Sequence, residues 1–329
     1  MAFRVGVIGL GIGEKHVQEY LRLDGIQLAA VADVVEERAQ QVARRYGVVG
    51  YSDAVRMMEH EALDAVSICT TPRTHHELTL AAAERGLHVL CEKPMAPTTA
   101  ECDEMIAACR RAGVTLLLGF KKRSSPAFRF VKEREPEWGR PLIAHVRYQL
   151  GPVPKAWFWD ESDGGGPLIE NTAHSFDMLR FLFGDAERVY AEGGSYLATG
   201  HEGVSAAACT LRFRDGAIAS LAAGTGGIWG YDKSERWVLS YEPLNVELEG
   251  PFDEPRSLRL MHRDGQAIEE RWWRDASGWS EQMRHFLDCL RGEASPRATG
   301  EDGKRALQLG LAVKQSVRTG LPVAIDLEQ

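Results

Sequence analysis

The chain has 329 residues, which at about 150 residues per domain accommodates two domains and a sizeable core. Its composition is 44% hydrophobic and 26% charged, ordinary globular usage without a low-complexity tract, and this excludes a disordered or fibrous protein. Lys and Arg total 39 against 47 Asp and Glu, so the net charge of -8 argues against nucleic acid or an anionic membrane as partner.

Short apolar, β-rich runs at 4–9, 27–32, 65–69, 88–91 and 115–118 alternate with helix-like stretches at 36–46, 74–85 and 98–112. That rhythm predicts an α/β fold whose residues 1–122 form an N-terminal Rossmann domain, a doubly wound parallel sheet. Beyond residue 123 the rhythm changes. A strand candidate at 143–150 and a strong helix at 168–183 precede strand candidates at 188–193, 206–213, 217–222, 236–240 and 245–249. Arg214-Asp215-Gly216 is a hairpin signal, and helices at 281–290 and 302–319 follow. Residues 123–329 are therefore expected to form a C-terminal α+β domain with a large, mainly antiparallel sheet.

Six cysteines lie far apart with no C-x-x-C pair, which predicts free buried thiols in a reducing compartment and no metal centre. The apolar stretch at 5–13 is too short and glycine-rich for a secretory leader, and no run of about 18 apolar residues occurs. A cytoplasmic location follows as the expectation.

The first strand candidate runs into Gly9-Leu10-Gly11-Ile12-Gly13-Glu14, where glycines let the backbone turn tightly and approach a pyrophosphate at a helix N-terminus. The third glycine of G-x-G-x-x-G is replaced by Glu14, and a plain strand-to-helix turn is an alternative explanation. Asp33 ends the second strand, 24 residues after Gly9, where a carboxylate accepts hydrogen bonds from an adenosine ribose. Its charge repels a 2′-phosphate, so the site is expected to prefer NAD over NADP; a solvated loop aspartate is the competing reading. Thr70-Thr71-Pro72 and Glu92-Lys93-Pro94 also follow strand ends, where ligands bind in open α/β sheets.

The segment Arg85-Gly86-Leu87-His88-Val89-Leu90-Cys91-Glu92-Lys93-Pro94 resembles the A-G-K-H-V-x-x-E-K-P signature of the Gfo/Idh/MocA oxidoreductases. Thr71-Pro72 with His76 resembles a T-P-N-x-x-H segment, and Gly119-Phe120-Lys121-Lys122-Arg123 is similar to G-F-N-R-R. The Gly164-Gly165-Gly166 and Gly300-Glu301-Asp302-Gly303 stretches extend the likeness over nearly the whole chain. The resemblance implies a cofactor site made of Gly9, Gly11, Ile12, Gly13, Asp33, Thr70, Thr71, Pro72, His76, Glu92, Lys93 and Arg123.

Glu170, His174 and Asp177 share one face of the 168–183 helix. Spacing alone favours a solvated polar stripe. The family pattern D-x-x-x-H instead implies Lys93, His174 and Glu170 as catalytic residues and as substrate contacts, and Trp157 and Asn171 are further candidate substrate contacts. Trp157 belongs to an aromatic cluster, 156–160, whose ring faces suit a sugar and which equally suits loop packing. The implied function is NAD-dependent hydride transfer to or from a hydroxyl or carbonyl carbon of a sugar, inositol-like polyol or related carbohydrate. An NAD-assisted glycoside hydrolase and a non-catalytic NAD-responsive regulator are the alternatives. A homodimer or homotetramer is implied by the resemblance alone.

Overall fold

The computed structural model describes residues 2–196, 203–264 and 268–326. The chain divides into two compact units, Met1–Phe120 with Trp279–Lys304, and Lys121–Gly278 with Arg305–Gln329. An end-to-end division at 122/123 does not anticipate the return of 279–304 to the first unit.

The first unit alternates β1 (Phe3–Ile8), α1 (Gly13–Tyr20), β2 (Ile26–Ala32), α2 (Glu36–Tyr46), β3 (Val49–Tyr51), α3 (Ala54–His60), β4 (Ala65–Ile68), α4 (His75–Glu84), β5 (His88–Cys91), α5 (Thr99–Ala112) and β6 (Leu116–Leu118). Its strands pair in parallel in the order β3-β2-β1-β4-β5-β6, the doubly wound arrangement. All four residues of β4 are buried, as expected of a central parallel strand covered on both faces. α5 starts on a capping box in which Thr98 and Glu101 satisfy each other's backbone N–H groups. β3 escapes pattern reading because it is a three-residue edge strand centred on Gly50.

In the second unit a 3-10 turn (Lys121–Ser124), α6 (Pro126–Glu133) and α7 (Glu135–Trp138) lead to β7 (Ile143–Gln149). Two short helices, α8 (Ala156–Trp159) and α9 (Glu161–Gly164), then feed α10 (Gly166–Phe183). Strands β8 (Ala186–Gly194), β9 (Ala206–Phe213), β10 (Ile218–Gly224), β11 (Glu235–Ser240), β12 (Leu244–Gly250), β13 (Ser257–His262) and β14 (Ile268–Trp272) follow. α11 (Trp279–Leu290) belongs to the first unit, α12 (Gly300–Thr319) runs from the first into the second, and β15 (Val323–Ala324) adds an edge.

These strands form a nine-stranded sheet, β14-β13-β12-β11-β7-β10-β9-β8-β15, in which only β7 and β10 pair in parallel. Residues alternate strictly along β7: Ala144, Val146 and Tyr148 are buried while Ile143 and His145 are exposed. α10 packs against β9 and β10. It is buried almost all round, Asn171, His174 and Asp177 included, so its polar stripe is interior rather than solvated. All six cysteines are buried free thiols.

Candidate functional site

In the first unit the turn after β1 is built around two glycines with different reasons for being glycine. Gly9 has φ +83, and a Cβ there would lie 2.7 Å from the backbone of Cys69 and Thr70, so the fold itself requires it. Gly11 is exposed, and a Cβ on it would meet nothing within 4 Å, so packing makes no such demand. Gly13 is buried against Val7 and Cys69 at the start of α1, and Ile12 precedes that helix with a half-exposed side chain. The loop thus presents open backbone at a helix N-terminus, a cradle that a phosphate group fits.

Asp33, at the end of β2, is buried and accepts from the backbone N–H of Leu10 at 2.8 Å and of Val35 at 2.9 Å. Arg38, from the first turn of α2, donates to both of its carboxylate oxygens, at 3.2 and 3.0 Å. Pattern reading found no arginine immediately after Asp33; one turn of helix brings one back.

Beyond β4, the Thr74 hydroxyl donates to that of Thr70, and a 3-10 turn starts at Pro72 after Thr71. His75 is fully buried, with Nδ1 2.9 Å from the Pro94 carbonyl and Nε2 3.2 Å from the Thr70 carbonyl. It thereby ties the loops after β4 and β5 together. The neighbouring His76 points to α5, where Nε2 lies 2.7 Å from Glu104. Glu92 is buried: Oε1 is 3.2 Å from His16 Nε2, and Oε2 accepts from the Lys93 backbone N–H at 3.2 Å. Burial, with the Glu92 charge, pushes the Cys69 thiol well up, so the thiol 3.5 Å from His16 stays protonated. The Lys93–Pro94 peptide is cis.

The remaining candidate residues belong to the second unit. Arg123 forms a two-pronged ion pair with Asp177 of α10, at 2.8 and 2.6 Å, both side chains being buried. Asn171 is 4% exposed, and among the described residues neither atom of its amide meets a hydrogen-bond partner. Trp157 is half-buried on α8, whereas Phe158 and Trp159 beside it are buried. Glu170 is half-buried, one turn before His174.

His174 is 3% exposed, and its Nε2 lies 3.6 Å from Oδ2 of Asp253, in the loop between β12 and β13. Asp253 is the one non-glycine residue with positive φ (+64) among those described, a backbone conformation that needs surrounding contacts to hold it. Those contacts are strong. Lys121 Nζ reaches Oδ2 at 3.2 Å, Lys122 Nζ reaches Oδ1 at 3.3 Å, and the Tyr148 hydroxyl donates to Oδ1. Lys122 is fully buried, bonded at 2.5 Å to Glu235 and placed 4.0 Å from the centroid of the Tyr148 ring. Burial opposes ionisation of Asp253, yet the charges of Lys121, His174 and Lys122 hold its carboxyl well below the usual range. Burial, with the Asp253 and Glu235 charges, pushes the Tyr148 phenol far up, so it remains a donor.

Residues 3–120 match the family model described as the oxidoreductase family with an NAD-binding Rossmann fold, and 134–240 match the corresponding C-terminal domain. The chain belongs to the Gfo/Idh/MocA oxidoreductase family. Among relatives of this Gfo/Idh/MocA chain, a myo-inositol 2-dehydrogenase of Thermotoga maritima is 30% identical, with 98% of each chain covered. A 1,5-anhydro-D-fructose reductase of Ensifer adhaerens is also 30% identical over 98% of each. Among solved structures, a probable dehydrogenase from Thermotoga maritima superposes with a TM-score of 0.83 at 30% identity, covering 98% of both chains. A levoglucosan dehydrogenase in complex with NADH shares the fold, with a TM-score of 0.89 at 21% identity over 99% of this chain and 100% of that one.

Pattern reading assigned no role to His16, His75, Lys121, Lys122, Tyr148, Glu235 or Asp253, although Lys121 and Lys122 lie in a segment it singled out. His75 had a weak signal, the doubled histidine after Pro72, which leaves the ring that turns inward unspecified. Asp253 had none, because 79 residues separate it from His174. Among the described residues, no helix is long and apolar enough to cross a membrane, and no group of three or more His, Cys, Asp or Glu is placed to hold a metal ion.

Proposed function

We propose that this oxidoreductase is an NAD-dependent dehydrogenase of a sugar, an inositol-like polyol or a related carbohydrate, and that it prefers NAD over NADP. The observation that carries the substrate half of this reading is Asn171, whose buried amide lacks a partner one helical turn from His174. A polyhydroxylated substrate supplies the donor and acceptor that such an amide requires. The relatives named for inositol and anhydrofructose chemistry support the same class.

In this reading Gly9, Gly11, Ile12 and Gly13 hold the pyrophosphate, Asp33 accepts from the adenosine ribose, and Thr70, Thr71, Pro72 and Glu92 shape the walls. His76 and Arg123 are committed to Glu104 and Asp177, and we assign them structural roles instead. When bound, the nicotinamide supplies the acceptor for the hydride. As the substrate carbon is oxidised from alcohol to carbonyl, the hydroxyl proton would be taken up by His174. Lys93 hydrogen-bonds the substrate oxygen and stabilises negative charge developing on it. Trp157, Glu170 and Asn171 orient the ring and hydroxyls.

The open face of the nine-stranded sheet, lined by His145, Arg147, Tyr190, Ser220, Arg236 and Val238, is proposed to pair with another copy of the chain in a homodimer or homotetramer. Light scattering reads the assembly, and a monomeric mass refutes it.

Nicotinamide reduction followed by absorbance, with inositols, aldoses, sugar acids and deoxysugars and with NAD and NADP in parallel, tests the function. Turnover of one stereochemical class with NAD is expected. Turnover with NADP alone refutes the role of Asp33, and a fully active His174→Ala removes the histidine from the mechanism.

A further inference from the structure

Glu170 occupies the position one turn before His174, and the loop between β12 and β13 brings a further carboxylate to the imidazole. Asp253 Oδ2 is 3.6 Å from His174 Nε2, and its carboxylate is fixed on its other side by Lys122 and the Tyr148 hydroxyl. We propose that Asp253 is the positioning residue of His174, orienting its ring and serving as counter-ion when the imidazole takes up the substrate proton. This inference rests on the reading of His174 as proton carrier, and it assigns the positioning of that ring to a residue of a distant loop.

The charges around the imidazole make the role specific. Lys121 and Lys122 come from the 3-10 turn before α6, Asp253 from the β12–β13 loop, Glu235 and Tyr148 from β11 and β7, and Glu170 from His174's own helix. The two lysines face the two carboxylates of Asp253 and Glu235. An imidazolium then adds one buried positive charge, and such a charge persists only beside an anion. Asp253 is that anion. Lys121 shares Oδ2 with the histidine and opposes it, so the two neighbours are expected to move the histidine in opposite directions.

The protein labelled on its histidine rings, with the His174 signal identified by its loss in His174→Gln, allows the titration to be followed by NMR. In Asp253→Asn the His174 midpoint is expected to fall by about one pH unit, as for loss of an opposite charge at this range. In Lys121→Gln it is expected to rise. A folded Asp253→Asn with an unmoved midpoint, or movement of both variants in the same direction, overturns the proposal. Should Asp253→Asn fail to fold, the absence of a rise in Lys121→Gln overturns it alone. The NMR readout needs no substrate, so it is separable from the functional reading. Absence of turnover and of NAD binding in the unaltered protein sinks the dehydrogenase, whereas turnover with an unmoved His174 sinks only the role of Asp253.

Discussion

Gly9 and Gly11 differ by two positions in sequence and oppositely in what they serve, and alanine at each separates fold from ligand. At Gly9 the new Cβ would sit 2.7 Å from the Cys69 and Thr70 backbone, with φ at +83. The handedness penalty and the overpacking together cost about 2 to 5 kcal/mol. For a unit of this size that corresponds to a fall in Tm of roughly 10 °C. At Gly11 the Cβ meets no protein atom within 4 Å, so stability should stay within about 0.5 kcal/mol of the parent. In the proposed cradle its methyl would instead occupy the space through which a pyrophosphate would reach the backbone. Loss of one charge-assisted hydrogen bond, about 1.5 to 3 kcal/mol, raises the NAD Kd roughly 10- to 150-fold. Differential scanning fluorimetry of both apo variants and calorimetric titration of Gly11→Ala with NAD supply the measurements. A Gly11→Ala protein that binds NAD as the parent does refutes the cradle, and a Gly9→Ala protein of unchanged Tm refutes the packing argument.

Four more outcomes are expected. Asp33→Ser releases Arg38, so the ratio of kcat/KM for NAD over NADP should fall by at least about tenfold, one charged hydrogen bond's worth; an unchanged ratio would show that Arg38 does not select. Asn171→Leu removes a buried amide without partners, and should raise apo stability in urea by about 1 kcal/mol while raising KM; lower stability would mean that the amide is satisfied. Arg123→Met strands the buried Asp177 carboxylate and should cost about 3 to 5 kcal/mol, readable in the same urea titrations, where a loss below about 1 kcal/mol would count against the pair. His285 Nε2 accepts from the Arg297 backbone N–H, and burial and then the Arg297 charge lower its pKa. The unfolded chain therefore takes up this proton first. The stability involved is present above about pH 6.5 and is lost as pH falls through the lowered folded value. His285→Gln, which keeps an acceptor, should flatten that part of the Tm-against-pH curve, and an equally steep curve would contradict the assignment.

Much of the first unit was legible in the sequence because its information is local. Buried parallel strands read as unbroken apolar runs, α5 carries its own capping box, and the candidate ligand-facing residues fall just past strand ends. The run from Glu36 to Tyr46 is helical over its full expected length. In the second unit the alternation of 206–213 located β9, while the short β13, whose Leu258 and Leu260 alternate with polar neighbours, and the charged β14 were not anticipated.

By itself the sequence determined the two-sheet plan, the strand-end placement of Asp33, Thr70 and Glu92, and a polar stripe on one helix, since each follows from a period of two or 3.6 residues or from turn chemistry. Tertiary structure decided what those residues meet. It returned Arg38 to Asp33, turned His75 inward and His76 outward, locked Arg123 onto Asp177, and brought Asp253 across 79 residues of chain to His174. The physical reason is burial. A charge removed from water needs its partner within a few ångströms, and which partner arrives depends on how sheets and loops close around it, a three-dimensional outcome that no local pattern encodes.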